Sequence, residues 1–288
     1  MKFEFIELHS SEFRVNKMCQ VLDVSRSAYY AWKKRGKSNR QKENEHLLKE
    51  IIQAYETGRR VYGSPRVTDE LRSKGFCCGE NRIARLMREN NIQAKTKRKF
   101  KATTNSRHQF AVAPNLLNQD FSAAAANQVW ASDITYIWTR EGWLYLAAIL
   151  DIFSRQIVGW FTSNRLTREL VINALKRALW RRKPDAGLIF HSDQGIQYAS
   201  DDFKELLKIN EIIQSMSRKG NPYDNAIVET FFHSLKTELI YFENYYTRDQ
   251  ATQSIFEYIE VFYNRIRKHS ALGYYSPVEF ELKQTKAA

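Results

Sequence analysis

Between Asn127 and Met216 the hydrophobic pattern changes its period, and the order of those changes restricts the fold more than any other feature of the chain. Val129 to Trp138, Trp143 to Phe153 and Gln156 to Phe161 are rich in β-branched and aromatic residues. Only Arg140-Glu141-Gly142 and Ser154-Arg155 separate them, lengths that suit hairpins and therefore three antiparallel strands. Thr167 then caps a run in which Leu170, Val171, Ala174, Leu175, Ala178 and Leu179 recur at helical spacing. Leu188-Ile189-Phe190 reads as a short buried strand, Phe203 to Ile209 as a helix and Ile212 to Met216 as another strand. A last helix carries Val228, Phe231, Phe232, Leu235 and Leu239 on one stripe. The expected product is an α/β domain with a mixed sheet and helices packed on it.

Three acids project from these elements. Asp193 follows the apolar run ending in His191-Ser192, so a buried strand delivers it to an exposed end. Asp133 lies within the first strand, and Glu229 flanks the apolar stripe of the last helix. The intervals are 59 residues from Asp133 to Asp193 and 35 from Asp193 to Glu229. Carboxylates gathered from separate elements suit phosphoryl transfer, in which two divalent ions about 3.5 to 4 Å apart activate the attacking oxygen and stabilise the leaving one. Spacing alone is a weak signal in a chain with 32 acids, so the flanking residues decide it.

Those flanking residues are His191-Ser192-Asp193-Gln194-Gly195 with Tyr198, Gly220-Asn221-Pro222-Tyr223-Asp224-Asn225-Ala226 leading into Glu229, and Phe231-Phe232-His233-Ser234-Leu235-Lys236. Together they resemble the DDE transposases related to retroviral integrases. More narrowly, the chain is similar to the second-frame (OrfB) proteins of bacterial insertion sequences of the IS-three group, from about Arg14 to about Leu282. The resemblance implies a ribonuclease-H-like catalytic domain preceded by an all-α helix-turn-helix region. It implies that Asp133, Asp193 and Glu229 are the catalytic and metal-binding residues, holding two Mg²⁺ (or Mn²⁺) ions. Water would then cut one strand at an element end, and the freed 3′-hydroxyl would attack a second phosphodiester. The implied partners are double-stranded DNA, as terminal inverted repeats and target. A homo-oligomer assembled on DNA, and fusion to or cooperation with a DNA-binding protein from an upstream frame, are also implied. Lys236, seven residues after Glu229 and on its side of the helix, matches a cation that touches the DNA end in these enzymes. An exposed solubilising lysine is the alternative. Two rivals to a transposase are a DNA-binding regulator with an inactive integrase-like fold and a ribonuclease-H-like nuclease that only hydrolyses.

Charge divides the chain. Residues 1–120 hold 25 Lys and Arg against 13 Asp and Glu, a net of +12, whereas residues 121–288 are near neutral at +1. A basic part beside a neutral one fits a nucleic-acid-binding module joined to a domain with another task. Apolar runs are too short to span a bilayer, which needs about 20 residues. The acids among the first residues exclude a secretory signal, and Cys19, Cys77 and Cys78 have neither zinc nor disulfide spacing. The expectation is a cytoplasmic protein, nucleoid-associated when bound to DNA, with no membrane contact.

Four regions are expected: a helix-turn-helix region over 1–60, a second helical DNA-binding region with a basic linker over 61–123, the catalytic core over 124–240 and a C-terminal helical segment over 241–288. In the first, a helix ends near Leu22, Ser25 caps the next, and Arg26 and Tyr29 stand where a recognition helix meets DNA. A plain helical hairpin is the alternative. In the second, Ser64 caps a helix with Pro65 at its first position. Arg82, Arg85 and Arg88 then share a helix face, as a phosphate-facing ridge or a solvated one. Lys97, Arg98 and Lys99 lie in a basic tether that adds affinity without sequence information.

Some residues look chemical but have plainer explanations. Asp151 closes an apolar strand before Ser154-Arg155 and reads as a structural acid. Asp201 and Asp202 suit a helix N-terminus. His191 either packs or assists a phosphate, and residues 218–225 read as a loop beside the site that orders on binding, of a length and position that suit a DNA-contacting flap. The tail, with Ile255, Tyr258, Ile259 and Phe262 on one face, packs on the catalytic domain.

Overall fold

The computed structural model describes residues 2–95, 113–218 and 222–287. Three short helices come first: α1 (Lys2–Leu8), α2 (Val15–Val21) and α3 (Arg26–Lys34). Ile6, Met18, Cys19 and Tyr29 form a small core of their own between them. The turn between α2 and α3 puts Asp23 at φ 49°, and Ser25 Oγ accepts the Ala28 amide, as its place before α3 suggested. α1 has no counterpart in the sequence reading, because seven residues with a single buried side chain show no clear period.

A second helical unit follows: α4 (Asn39–Thr57), α5 (Ser64–Ser73) and α6 (Glu80–Glu89). Ser38 and Gln41 cap α4 reciprocally. The residue capping α5 is Gly63, not Ser64, whose helical backbone puts Pro65 in the first turn. Leu47, Ile51 and Ala54 of α4 share one core with Val67, Leu71, Ile83 and Met87. The boundary expected at residue 60 therefore falls inside a packed unit, and the break in packing lies between α3 and α4.

The sheet has the order β3-β2-β1-β4-β5, with β1 (Val129–Thr139), β2 (Gly142–Asp151) and β3 (Ile157–Ser163) antiparallel. β4 (Ile189–Ser192) and β5 (Ile213–Met216) run parallel to β1. β2 is covered on both faces, which is why its sequence is almost continuously apolar. On one face Trp130, Ala147, Ile149 and Val158 meet α7 (Arg168–Arg182) and α8 (Asp201–Ile209). α7 comes so close that a Cβ at Gly159 would lie 2.5 Å from the Ala174 carbonyl oxygen. On the other face Ala131, Leu146, Ala148 and Leu150 meet Val228, Phe231 and Leu235 of α9 (Ala226–Glu238). Each fully buried Val, Leu, Ile or Phe side chain among them contributes about 1.5–3 kcal/mol.

That second face carries more than the catalytic sheet needs. The same core takes in α4, α5 and α6 and two parts of the tail, α10 (Arg248–Phe256) and a π-helical turn from Glu257 to Tyr263, while the last helix, α11 (Pro277–Ala287), meets Phe153 through Phe280 and Arg182 through Glu281. The Tyr62 hydroxyl donates to the Ile266 carbonyl at 2.9 Å and accepts from the Lys268 amide at 3.1 Å, while Lys268 Nζ reaches Asp69 at 2.6 Å. Cys19, Cys77 and Cys78 are free thiols. Among the described residues no helix is long and apolar enough to cross a membrane.

Candidate active site

Strand register creates the site. β1 and β4 are parallel, and Ser132 pairs with Ser192, so the next residues, Asp133 and Asp193, emerge beside one another where β4 ends. A crevice at the carboxyl ends of strands is the usual place for a ligand in such sheets. Asp133 is half-buried, and its Oδ1 accepts the Ile134 amide at 2.7 Å. Asp193 Oδ1 accepts the Gly195 amide at 2.9 Å, and a Cβ at Gly195 would stand 2.9 Å from that same oxygen. A side chain at this position would displace the Asp193 carboxylate.

α9 brings the third acid. Its apolar stripe lies on the face of the sheet to which Asp133 points, which leaves Glu229 exposed in its first turn, where the helix dipole favours an anion. Burial first, and then Asp193 and Glu229, push the Asp133 carboxyl well above the usual range, while Lys236 opposes them. Lys236 is half-buried, with Nζ 5.5 Å from the centre of the Tyr136 ring. Burial lowers its pKa, and Asp133 acts in the opposite direction. The three acids and the lysine thus form one electrostatic set.

The donor set is all carboxylate oxygen, which suits a hard divalent cation, and crowded anions call for a positive charge between them. Among the described residues, however, no group of three or more His, Cys, Asp or Glu side chains is arranged so as to hold a metal ion. Two of the carboxylates are turned onto neighbouring backbone amides. The residues fit such an ion in kind and in neighbourhood, because an ionised carboxylate that accepts one amide on Oδ1 keeps further lone pairs for a cation.

Beneath the acids the polar groups are closely paired. Ser132 Oγ donates to the Ala148 carbonyl at 3.0 Å, so the Tyr198 hydroxyl, 2.8 Å away, must be the donor in the bond between them. His191 is fully buried: its Nε2–H donates to the Asp224 carbonyl at 2.8 Å, and Nδ1 accepts from Ser215 Oγ at 2.9 Å. It is a structural residue, the packing reading given to it above. Asp151 is structural as well, accepting from the Asn127 amide and the Trp130 indole. Asn225 reaches the Ser132 carbonyl with Nδ2 at 3.3 Å, and its buried Oδ1 has no partner among the described residues.

Sequence reasoning treated Asp224 only as part of a motif. Its carboxylate, 1% exposed, accepts from Arg218, Asn115 and Gln119, fastening the exit of β5 to the segment that leads into β1. The signal available was an acid beside Gly220 and Pro222, with Arg218 six residues earlier.

The expected DNA contacts fare unequally. Arg26 is exposed at the start of α3. Tyr29 is corrected: it is 1% exposed, and its hydroxyl donates to Glu7 at 2.6 Å, because helical spacing turns it into the small core beneath α1 and leaves Tyr30 outside. Arg82 is corrected too, since its guanidinium turns back onto α4 and binds Asn44 at 2.7 and 2.9 Å. The ridge on α6 is therefore Arg85 and Arg88, both exposed. Lys97, Arg98 and Lys99 lie outside the described residues.

Known proteins resemble the chain over nearly its whole length. An integrase core domain model matches residues 123–222, an HTH-like domain model residues 42–100, and a second integrase core domain model residues 229–284. The chain is 45% identical over 285 residues to the transposase InsF for insertion sequence IS3A of Escherichia coli (strain K12), covering 98% of this chain and 99% of the relative. It is 48% identical over 271 residues to the insertion element IS600 uncharacterized 31 kDa protein of Shigella sonnei, covering 94% of this chain and 100% of that protein. The crystal structure of the catalytic core domain of BIV integrase is similar over 56% of this chain and 97% of that one, at 20% identity and a TM-score of 0.40. With a helical unit leading into a sheet that sets Asp133 beside Asp193, and with identity of this extent, the chain belongs to the integrase-core transposases of the IS3 insertion sequences.

Proposed function

We propose that the chain cuts DNA at the ends of an insertion sequence and joins the freed 3′-hydroxyl to a second phosphodiester, with Asp133, Asp193 and Glu229 as its catalytic carboxylates. The observation that carries this reading is the β1/β4 register, which sets two acids side by side beneath a helix bearing the third. A pair of Mg²⁺ or Mn²⁺ ions held by these oxygens supplies Lewis acidity at the reacting phosphate. The chain's own residues do the rest. Asp133 and Asp193 anchor the site to rigid strands, Glu229 closes it from α9, and Lys236 stands ready to pair with a phosphate of the DNA end. His191 and Asp224 hold the floor and the flap beside Asp193.

Duplex DNA, as terminal inverted repeats and target, is the substrate. Arg26 on α3 and Arg85 and Arg88 on α6 are the contacts proposed outside the site, with Lys97, Arg98 and Lys99 supplying further phosphate affinity. The working form is a homo-oligomer on DNA in the bacterial cytoplasm, acting alone or fused to an upstream-frame protein. Asp193→Asn tests the assignment, because it keeps the shape but removes the charge that would hold an ion. With Mg²⁺ and labelled duplexes of element ends, the variant should neither cut nor join, yet bind duplex as wild type does. Cleavage by the variant sinks the assignment.

A further inference from the structure

A cavity of about 320 Å³ opens against α9 and is lined by Arg66, Arg155, Arg267 and His269, with Thr230 and Ser234 of the helix. At about 100° per residue these two helix positions lie far round α9 from Glu229, so the cavity is separate from the acids. The three arginines come from distant parts of the chain: Arg66 from α5, Arg155 from the turn between β2 and β3, and Arg267 from the segment before α11. The cavity is therefore a junction of the second helical unit, the catalytic sheet and the tail.

Its charges do not balance. Arg267 is matched by Glu238, with contacts of 2.6 to 3.1 Å, and its Nη2 also reaches Ser234 Oγ at 3.2 Å. Among the described residues neither Arg66 nor Arg155 is paired with a carboxylate, and Arg66 lies over the Tyr62 ring at 5.7 Å. Both are half-buried. Burial lowers the pKa of each, and burial together with the three guanidiniums drives His269 down to about 2, leaving a neutral imidazole. Three half-buried or buried guanidiniums thus share the one carboxylate of Glu238, which also acts on Arg66 from a distance, and such an excess of positive charge out of bulk water is unfavourable until an anion joins it. Their planar forks match the oxygens of a phosphate, and Ser234 Oγ donates no hydrogen bond among the described residues, so its proton is available to such a group.

We propose that this cavity is an oxyanion site that takes a non-reacting phosphodiester of duplex DNA, grasped by Arg66 from the helical unit and Arg155 from the catalytic sheet. It rests on the DNA-joining reading above. A phosphate held at this junction fixes the path of the DNA relative to the acids, so the site acts on affinity and alignment rather than on chemistry.

The test uses the full chain, a duplex of element-end sequence and inorganic phosphate. Arg66→Gln and Arg155→Gln should each flatten the plot of log affinity against log salt by about 0.9 for the phosphate lost, and Arg155→Lys should keep most of the slope. Millimolar inorganic phosphate should raise the melting temperature of wild type and not of the Gln variants. If phosphate stabilises wild type while the DNA slopes stay unchanged, the site holds a free anion and the DNA assignment is overturned. Unchanged slopes with self-association lost in the variants would assign the arginines to acidic groups of a second copy, again overturning it. Where a variant does not fold, wild type decides: no rise in melting temperature with phosphate overturns the site. Asp193→Asn, which keeps the full salt slope while losing cleavage, separates failure of this proposal from failure of the catalytic assignment.

Discussion

Replacing Asp224 with Asn removes one charge that fastens two segments next to Asp193. The carboxylate accepts from the Arg218 amide at 2.8 Å, from Arg218 Nε and Nη2 at 3.1 Å each, from Asn115 at 2.9 Å and from Gln119 at 3.2 Å. Hydrogen bonds from the Arg218 side chain, working against desolvation, lower its pKa from 3.8 to about 2. At about 1.36 kcal/mol per pH unit the full shift is worth roughly 2.4 kcal/mol. Arg218 is 54% exposed, so water screens the pair, and about 1–2 kcal/mol is the expected loss. A lowered carboxyl pKa stabilises the fold fully above pH 3.8, and the contribution disappears as pH falls towards 2. Thermal unfolding of wild type and variant at pH 7, 5 and 3 should show the variant melting about 2–6 °C lower at the first two values, with a smaller gap at pH 3. Amide exchange should quicken at Leu117, Asn118 and Arg218, whose N–H groups depend on this cluster. A gap that closes between pH 7 and 5 would place the titrating group elsewhere, and no gap at pH 7 would refute the fastening role altogether.

Lys236→Ala should raise the concentration of element-end DNA needed for half-maximal joining about fivefold, corresponding to roughly 1 kcal/mol, with the melting temperature nearly unchanged. Wild-type joining in that variant demotes the lysine to a surface charge. Removing residues 1–35 should leave the melting temperature of the remainder intact, because their core is separate. A chain starting at residue 124 should lose at least about 2 kcal/mol, since Tyr62 and its neighbours leave the shared core. Equal melting of the two truncated chains contradicts the packing described. Tyr198→Phe should cost about 1 kcal/mol, read by urea denaturation, and an unchanged midpoint shows that the hydroxyl is not the donor to Ser132.

The catalytic half was legible because its signals are periodic and local. β1 and β2 alternate or run apolar according to how many faces are covered, and Asp193 follows directly where the run of β4 stops. Tyr29 was misjudged for the opposite reason. Whether a tyrosine on α3 faces DNA or a core depends on α1, and seven residues with one buried isoleucine announce nothing by themselves. Arg82 failed similarly: a period places it beside Arg85 and Arg88, but only the position of Asn44, 38 residues earlier, shows that it turns inward. The role of Asp224 needed the fold as well, since Asn115 and Gln119 are more than 100 residues away in the chain. What sequence cannot carry in each case is the partner across a long loop.

The continuity of the core from α4 to the tail limits how these proteins can be recombined. Tyr62 binds the backbone at Ile266 and Lys268, so grafting the helices of residues 39–95 from a relative requires the matching tail to come along. The first three helices carry no such debt, because their apolar side chains answer only to one another. An exchange of parts between relatives is therefore cheapest with a crossover at residues 35–38, between α3 and α4. A crossover just before β1 would instead split a single hydrophobic unit and yield chains that fold poorly however well their catalytic sheets agree.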